Sequence, residues 1–535
     1  MPEPTHPGNG GWIDRTFGDL ARQFRWSYLP PLMVYLAAGV SGLTSIVGAF
    51  FIKDFLDLSA AFVAGLAFWA GLPWVMKMPL GHLVDLIWRW KDALVWLGAA
   101  LIAASLSIMF LLLSRPEIME PLMRAEAWYV LAVILAPSGY ALQDVVADAM
   151  TVEAVPTHDP DGNAYPEETA KAMHTTMQTL GRIAIIGGLV MVASFNLILF
   201  TGAGEISADR QAEIYAQVYL AALVIPVISI SGVILHRVLQ RRQKDRGHAP
   251  APSEKATKPD WYLLGGGLTF AGGSIAIGLM DLDYGQEIVF LCSMAIILFL
   301  IARLMRELPQ DQARALVGTA VIIFIFRAVP LPGPGLGWFE IDELGFDEQF
   351  FSILSLITAC LTMLGLFVLR PMMAKRSIAY IVVLLTVAAA VLALPNIGLY
   401  YGIHEWTSAR TGGVVDARFI AILDTAIESP LGQIAMVPML AWIARNAPAH
   451  LKATFFAVMA SFTNLALSAS SLATRYVNDL LVITREVVSD LDGTIQIPAD
   501  YANLGVLLIL VAGIGLAAPL LTVLIVQLSR FRTNA

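Results

Sequence analysis

The chain has 535 residues, of which 57% are hydrophobic and only 14% charged, with a formal net charge of −8. Too few charges remain to cover a water-soluble surface of this size, so most of the length must live in lipid, and no nucleic-acid partner is expected. The two cysteines, Cys292 and Cys360, fall in apolar stretches and read as ordinary buried residues, with no disulfide or thiolate-metal framework.

Residues 1–31 form a polar N-terminal segment. Within it Ile13, Phe17, Leu20 and Phe24 recur at helical spacing opposite Asp14, Arg15, Asp19 and Arg22. That pattern suits a short cytoplasmic amphipathic helix on the membrane surface, with a polar tail of local helicity as the other reading. No apolar run of a cleavable signal precedes Leu32, so the first span is expected to act as the insertion signal.

About 20 apolar residues cross the hydrocarbon layer as a helix, and helices are obligatory there because lipid offers no partners to backbone N–H and C=O groups. Residues 32–239 hold six such spans: Leu32–Ile52, Ala60–Pro79, Ala93–Leu113, Ala127–Ala147, Gln178–Phe200 and Ala216–Leu235. Residues 240–260, rich in Arg, Lys, Pro and Ala, read as a cytoplasmic linker. An extra hairpin follows over 261–304, with spans Trp261–Met280 and Ile288–Leu304. Residues 305–535 hold six more: Ala315–Leu331, Phe350–Leu369, Ile378–Leu399, Phe419–Ala444, Ala453–Tyr476 and Leu504–Leu528. With both termini cytoplasmic, most of the 34 Lys and Arg residues fall in cytoplasmic segments, as topology requires. The expected fold is therefore an all-α polytopic membrane protein of 14 transmembrane helices, two six-helix bundles plus an inserted two-helix hairpin. A short basic loop opened by glycine follows the second span (Gly81, Asp85, Arg89, Lys91) and recurs faintly in the second half (Gly365, Arg370, Lys375, Arg376), which suggests duplication.

Charges kept inside spans are expensive and usually face a bundle interior or a water-filled path. Asp144 and Asp148 lie four apart on one face of the fourth span, one turn after Tyr140, where desolvation and like charge favour holding a proton. An alternative is that Asp148 and Glu153 have already emerged into water. Lys77, late in the second span, either pairs with Asp144 or snorkels to the interface. Asp424 and Glu428 form a second pair four apart, nearer the midplane, just before Pro430, whose missing N–H marks a kink where ligands bind. Arg327, deep in a span, is their candidate counter-charge, and Asn464 bonds either helix to helix or substrate.

Several patterns fail as sites. Asp159, Asp161 and Asn163 imitate a calcium loop, but Ala164 and Ala170 stand where glycine and glutamate are needed. The glycines at 265–267 and 272–273 favour close helix packing within lipid. No phosphate-binding loop, metal motif or serine elbow occurs, so neither cofactor nor metal nor enzymatic chemistry is expected.

The run Leu72-Pro73-Trp74-Val75-Met76-Lys77-Met78-Pro79-Leu80-Gly81 with Asp85 resembles the folate–biopterin transporter family of the major facilitator superfamily. So do Asp144-Val145-Val146-Ala147-Asp148-Ala149 with Glu153, and Met436-Val437-Pro438 followed by Ala453-Thr454-Phe455-Phe456-Ala457 and Asn464. The resemblance implies a major-facilitator-type fold working as a rocker-switch carrier of folates or pterins in the plasma or inner membrane, driven by protons. The charges and polar groups kept inside or beside the spans make Asp144, Asp148, Arg327, Asp424, Glu428 and Asn464 the expected substrate or proton sites, and Lys77, Gly81, Asp85 and Arg89 the expected gating or structural residues. Two departures bear on the substrate: Ile87-Trp88-Arg89-Trp90-Lys91-Asp92 replaces the family's arginine-rich loop, and the hairpin exceeds the usual twelve helices. The same groups suit a proton-coupled exporter of drugs or other organic ions. A non-transporting assembly factor that holds tetrapyrrole pigments is the rival of another class.

Overall fold

A computed structural model of the chain describes residues 24–532 apart from 56–57, 88–89, 157–164, 201–207, 246–260, 281, 283, 307, 370–371, 373–375, 432–451, 486 and 489–494. The expected amphipathic segment, but for Phe24, the false calcium loop and the core of the linker lie outside the described residues.

A 3-10 turn at Trp26–Tyr28 leads into α1 (Leu29–Val40), where Pro30 and Pro31 occupy the first turn, the helical position at which a missing N–H costs nothing. A second 3-10 turn joins α1 to α2 (Ser45–Phe55). Ser59 caps α3 (Ala60–Val75) by accepting from the Phe62 N–H. Pro73 lies inside α3, and the helix stops at Val75, with α4 (Lys77–Leu86) resuming after Met76. Then follow α5 (Lys91–Ser114), the single turn α6 (Pro116–Met119), α7 (Ala125–Ala154), α8 (Glu167–Leu199), α9 (Ala208–Ala222) and α10 (Val224–Asp245). The helix α8 begins 11 residues before the expected span at Gln178, because Glu167–Met177 is polar yet made of good helix formers.

The hairpin is α11 (Trp261–Leu279) and α12 (Gly285–Met305). The second half runs α13 (Gln310–Ala328), α14 (Pro334–Asp342), α15 (Glu348–Val368), α16 (Ile378–Tyr400), α17 (Ile403–Thr411), α18 (Ala417–Glu428), α19 (Lys452–Leu480) and α20 (Leu504–Leu528). A two-stranded antiparallel ribbon, Val487–Val488 with Ile495–Ile497, interrupts an otherwise helical chain. Among the described residues ten helical stretches are long and apolar enough to cross a membrane. The expected span Phe419–Ala444 does not continue as an α-helix through Pro430: α18 ends at Glu428 and a 3-10 turn, Ser429–Leu431, follows, because Pro430 has no N–H to continue the helical hydrogen bonds.

The bundle has a proximal end, where α1 starts and α20 finishes, and an opposite, distal end. In the first half α5 lies along α7, and α1 packs between α8 and α10. Two seams join the halves, α3 against α19 and α8 against α15. The halves are closed together at the distal end, where one apolar cluster runs from Phe50, Phe51 and Tyr215 to Trp338, Phe339, Tyr501 and Leu504. Phe50 meets Phe351 edge to face at 5.8 Å, and the Tyr215 hydroxyl donates to the Glu348 carboxylate. Cys292 and Cys360 are not buried as expected: both are exposed, since an apolar side chain in a membrane span need not be covered by protein.

With lipid as solvent, helices associate through close backbone approach more than through apolar burial. Gly98 and Gly139 make that approach between α5 and α7: a Cβ on Gly139 would stand 2.5 Å from the Gly98 carbonyl oxygen and 2.7 Å from Ile102. Gly139→Leu is therefore expected to cost at least 1–3 kcal/mol, the order of overpacking a close-packed site. It should sharply lower the yield of monodisperse protein in detergent and its melting temperature. Gly187→Ala, at a position where a Cβ meets nothing within 4 Å, is the matched control and should leave both unchanged.

Candidate functional site

The break between α3 and α4 puts Lys77 at the first position of a new helix, facing α7. Its ammonium donates to Asp144 Oδ2 and, at 3.2 Å, to Asp148 Oδ2. Helical spacing of four residues is what lets one lysine reach both carboxylates. The second oxygen of Asp148 accepts from the buried Tyr35 hydroxyl of α1 at 2.6 Å. Tyr35 is held in turn by Gly181 of α8, where a Cβ would approach its ring to 3.0 Å. One charged cluster thus ties three helices and the α4 break. Lys77 and Asp144 are mostly covered, at 18% and 19% side-chain exposure, whereas Asp148 is 49% exposed, so the cluster opens on one side to solvent-accessible space. Tyr140, singled out on its own helix, does not make this bond; Tyr35 does, and only folding brings α1 to α7.

Immediately before Asp144, buried Gln143 donates to the Val95 carbonyl at 3.2 Å and to the Ser229 hydroxyl at 2.9 Å, linking α7 to α5 and α10. Asn464 crosses the seam, donating from Nδ2 to the Trp74 carbonyl at 3.0 Å. That carbonyl lies three residues before Lys77, in the turn that α3 leaves unfinished. Of the two roles expected for Asn464, the structure displays the helix-to-helix bond.

The two members of the second pair sit in different environments. Asp424 is buried, accepts from Asn396 Nδ2 at 3.4 Å and has no partner on its other oxygen, while Glu428 is exposed. Asn396 follows Pro395, whose missing N–H weakens α16 there. Asp424 lies seven residues into α18, about 10 Å along the axis from the helix start. Glu340 of α14 lies beyond the apolar span that ends at Leu331; burial, with the Asp424 charge adding to it, pushes Glu340 up to about 7. Arg327 precedes the break between α13 and α14 and has no ion pair to Asp424 or Glu428 among the described residues. The break at Pro430 is closed from outside: Thr362 donates to the Ser429 carbonyl at 3.0 Å, and Gly365 lets α15 approach Pro430 so closely that a Cβ would stand 2.4 Å from its carbonyl oxygen.

At the proximal end Gly81 stands in open space, Asp85 belongs to α4 with its side chain outside the described residues, and Arg89 lies outside them altogether. Charge pairing there falls instead on Lys91, 2.9 Å from Glu153, with His236 3.3 Å from the same carboxylate oxygen and Gln240 donating to the other at 3.1 Å. Arg237 and Asp92 pair alongside at 2.7 Å. Glu153 is thus clasped rather than merely wet. Burial by itself raises a carboxylate, but His236 and Lys91 outweigh it and hold Glu153 below the usual range. Sequence spacing singled out the carboxylates; Tyr35, Asn396, Glu340 and His236 escaped it because each reaches its partner from a distant helix.

Comparison with known proteins matches the geometry. The profile of the BT1 family matches residues 38–533. A folate-biopterin transporter of Synechocystis sp. (strain ATCC 27184 / PCC 6803 / Kazusa) is 21% identical over 445 residues, 82% of this chain and 72% of that protein. A POT family transporter solved with 5-aminolevulinic acid superposes with a TM-score of 0.63 at 12% identity, over 94% of this chain and 95% of its own. A peptide transporter, POT, solved with sulfate superposes with 0.59 at 14%, over 95% and 96%. The nucleoside transporter NupG superposes with 0.53 at 12%, over 93% and 99%. The fold is that of major-facilitator-type transporters.

Removing one member of the Lys77 cluster strands the other charges. Lys77→Met alone is expected to destabilise by order 3 kcal/mol, the penalty for leaving a largely buried charge unpaired, while the double variant Lys77→Met/Asp144→Leu recovers most of the loss. Melting temperatures in detergent for the full cycle check this. The Glu153 clasp has its own pH signature. A carboxyl held below its ordinary 4.5 contributes stability that is complete above that pH and lost as pH falls through the lower folded value. Acidification from about pH 5 toward pH 3 should lower the wild-type melting temperature by more than it lowers that of Glu153→Gln.

Proposed function

The chain belongs to the BT1 family, and we propose that it is a proton-coupled secondary transporter of folate- or pterin-like organic solutes, working by alternating access in the plasma or inner membrane. The observation that carries this reading is the Lys77–Asp144–Asp148 cluster, set at a helix break beside the α3–α19 seam. A lysine shared by two carboxylates is a switchable arrangement. Protonation of Asp144 or Asp148, or the arrival of an anionic group, releases one partner and changes what holds α4 to α7. The family relative named for folate and biopterin supports the substrate class.

In this reading the proximal end is cytoplasmic, as the basic linker and loops favour, and the hairpin brings the transmembrane helices to fourteen. The distal closure makes this an outward-closed state. Arg327, unpaired among the described residues at the α13–α14 break, offers a positive charge to a folate carboxylate. Asp424, with one oxygen free, offers a carboxylate to the amidine-like edge of a pterin. Glu340, held near 7 beside it, takes up and gives back a proton across the physiological range. Glu428, exposed, acts on Asp424 only through its charge.

Uptake of labelled folate and of a simple pterin into proteoliposomes, with and without an inward proton gradient, tests the proposal. Gradient-stimulated uptake is expected, lost or made independent of pH in Asp144→Asn with normal insertion, and reduced in Asp424→Asn. Glu340→Gln should flatten the rate between about pH 6 and 8, the range over which a group near 7 titrates. Absence of uptake of both solutes by folded protein overturns the substrate class. Wild-type uptake by Asp144→Asn overturns the role of the cluster.

A further inference from the structure

The glycines of α11 do not all serve helix packing. Gly267 does, since a Cβ there would stand 2.4 Å from Pro79, but Gly265, Gly266, Gly272 and Gly273 face open space. Beside them the hairpin leaves a shallow, half-open apolar crevice against the bundle. Tyr262, Gly266, Gly267 and Phe270 of α11 form one wall, Ile296, Ile297 and Leu300 of α12 a second, and Val75, Met76 and Pro79 a third. From Tyr262 to Phe270 the crevice runs about 12 Å along the helix, eight residues at the α-helical rise.

Besides Ser293, whose hydroxyl is taken up by the Val289 carbonyl, two polar features break the apolar lining. Ser461 of α19 is 1% exposed and lines the crevice with a hydroxyl that has no hydrogen-bond partner. At the proximal mouth the Arg303 guanidinium lies 5.7 Å from the Tyr262 ring centroid, with Arg306 exposed nearby and Trp261 74% exposed beside it. Aromatic and basic residues at that depth are the anchors of a membrane interface. An unpaired hydroxyl at the base of an apolar slot, with cations at its mouth, matches a molecule with a hydrocarbon chain, an ester carbonyl and an anionic head. We propose that this crevice binds one anionic phospholipid of the proximal leaflet, its acyl chain along α11, an ester carbonyl accepting from Ser461, and its phosphate at Arg303 and Arg306.

The site adjoins the transport machinery. Met76 and Pro79 flank Lys77 at the α3–α4 break, and Ser461 lies one turn before Asn464, which holds the Trp74 carbonyl. A bound lipid braces that joint through the hairpin. The identification of the proximal leaflet as cytoplasmic rests on the orientation proposed above; lipid binding itself does not depend on the substrate, so its test fails or succeeds apart from that of transport.

The test is titration of the purified full chain in detergent with phosphatidylglycerol or phosphatidylcholine of identical acyl chains, read by native mass spectrometry and by melting temperature. Wild type is expected to retain one saturable phosphatidylglycerol, which raises its melting temperature, and to hold phosphatidylcholine more weakly. Gly266→Leu fills the crevice from a position with free space around it, so it should fold as wild type yet lose the saturable binding and the thermal shift. Arg303→Gln should weaken phosphatidylglycerol by about fivefold, the worth of one cation at an anionic surface, and leave phosphatidylcholine unchanged. Equal retention of the two lipids by wild type, or undiminished phosphatidylglycerol binding by Gly266→Leu, overturns the proposal.

Discussion

Lys77 and the two carboxylates it joins impose the condition around which the first half of the molecule is arranged. No single one of these charges is tolerable in an apolar bundle, and insertion of each carries a cost of order 2.5–3.5 kcal/mol at mid-depth. Their mutual neutralisation needs α4 beside α7 and α1 close enough for Tyr35 to close the set. The close approach of α5 to α7 at Gly98 and Gly139 then aligns the helix that carries both aspartates. Gln143 fixes its rotation by bonding two further helices. Packing and charge satisfaction point to the same arrangement, which is the mark of a sequence that specifies one fold.

A second regularity is that several polar groups of the interior sit at or beside breaks and prolines of helices. Lys77 follows the Met76 break, Arg327 precedes the gap between α13 and α14, Asn396 follows Pro395, and Asp424 lies in the helix that Pro430 ends. A broken helix leaves carbonyls without intrahelical partners, and lipid cannot supply any. The chain answers with side chains from other helices: Asn464 at Trp74 and Thr362 at Ser429. The same breaks are places where a helix bends at small cost, so the groups that bind or exchange protons stand where movement is easiest.

Much of this was legible along the chain. The long apolar spans, the polar linker and the carboxylates spaced by four residues are local properties, set by hydropathy and by the helical repeat. The pairing of Lys77 with Asp144 was one of two roles the sequence left open for that lysine, the other being to snorkel to the interface. Other features were hidden for physical reasons. The polar first turns of α8 carry no apolar signal, although they are helical. Asp424 and Glu428 share a spacing but not an environment: α18 turns one inward and leaves the other exposed. Glu340 carries no motif, and its burial, which raises it with the Asp424 charge adding to the effect, is set only by the fold.

The sequence by itself determined that this chain is a helical membrane protein and where along it the costly charges lie, because lipid forces helices and penalises charge wherever they occur. The resemblance of three of its motifs to one transporter family went further, and the match over residues 38–533 agrees with it. Only the tertiary structure decided which partners those charges take. It decided that Tyr35 rather than Tyr140 joins the carboxylates, that Lys91 and His236 clasp Glu153, and that the hairpin leaves a crevice against α4 and α19. Each of those outcomes depends on helices distant in sequence meeting at one depth, and no local pattern encodes a meeting between helices.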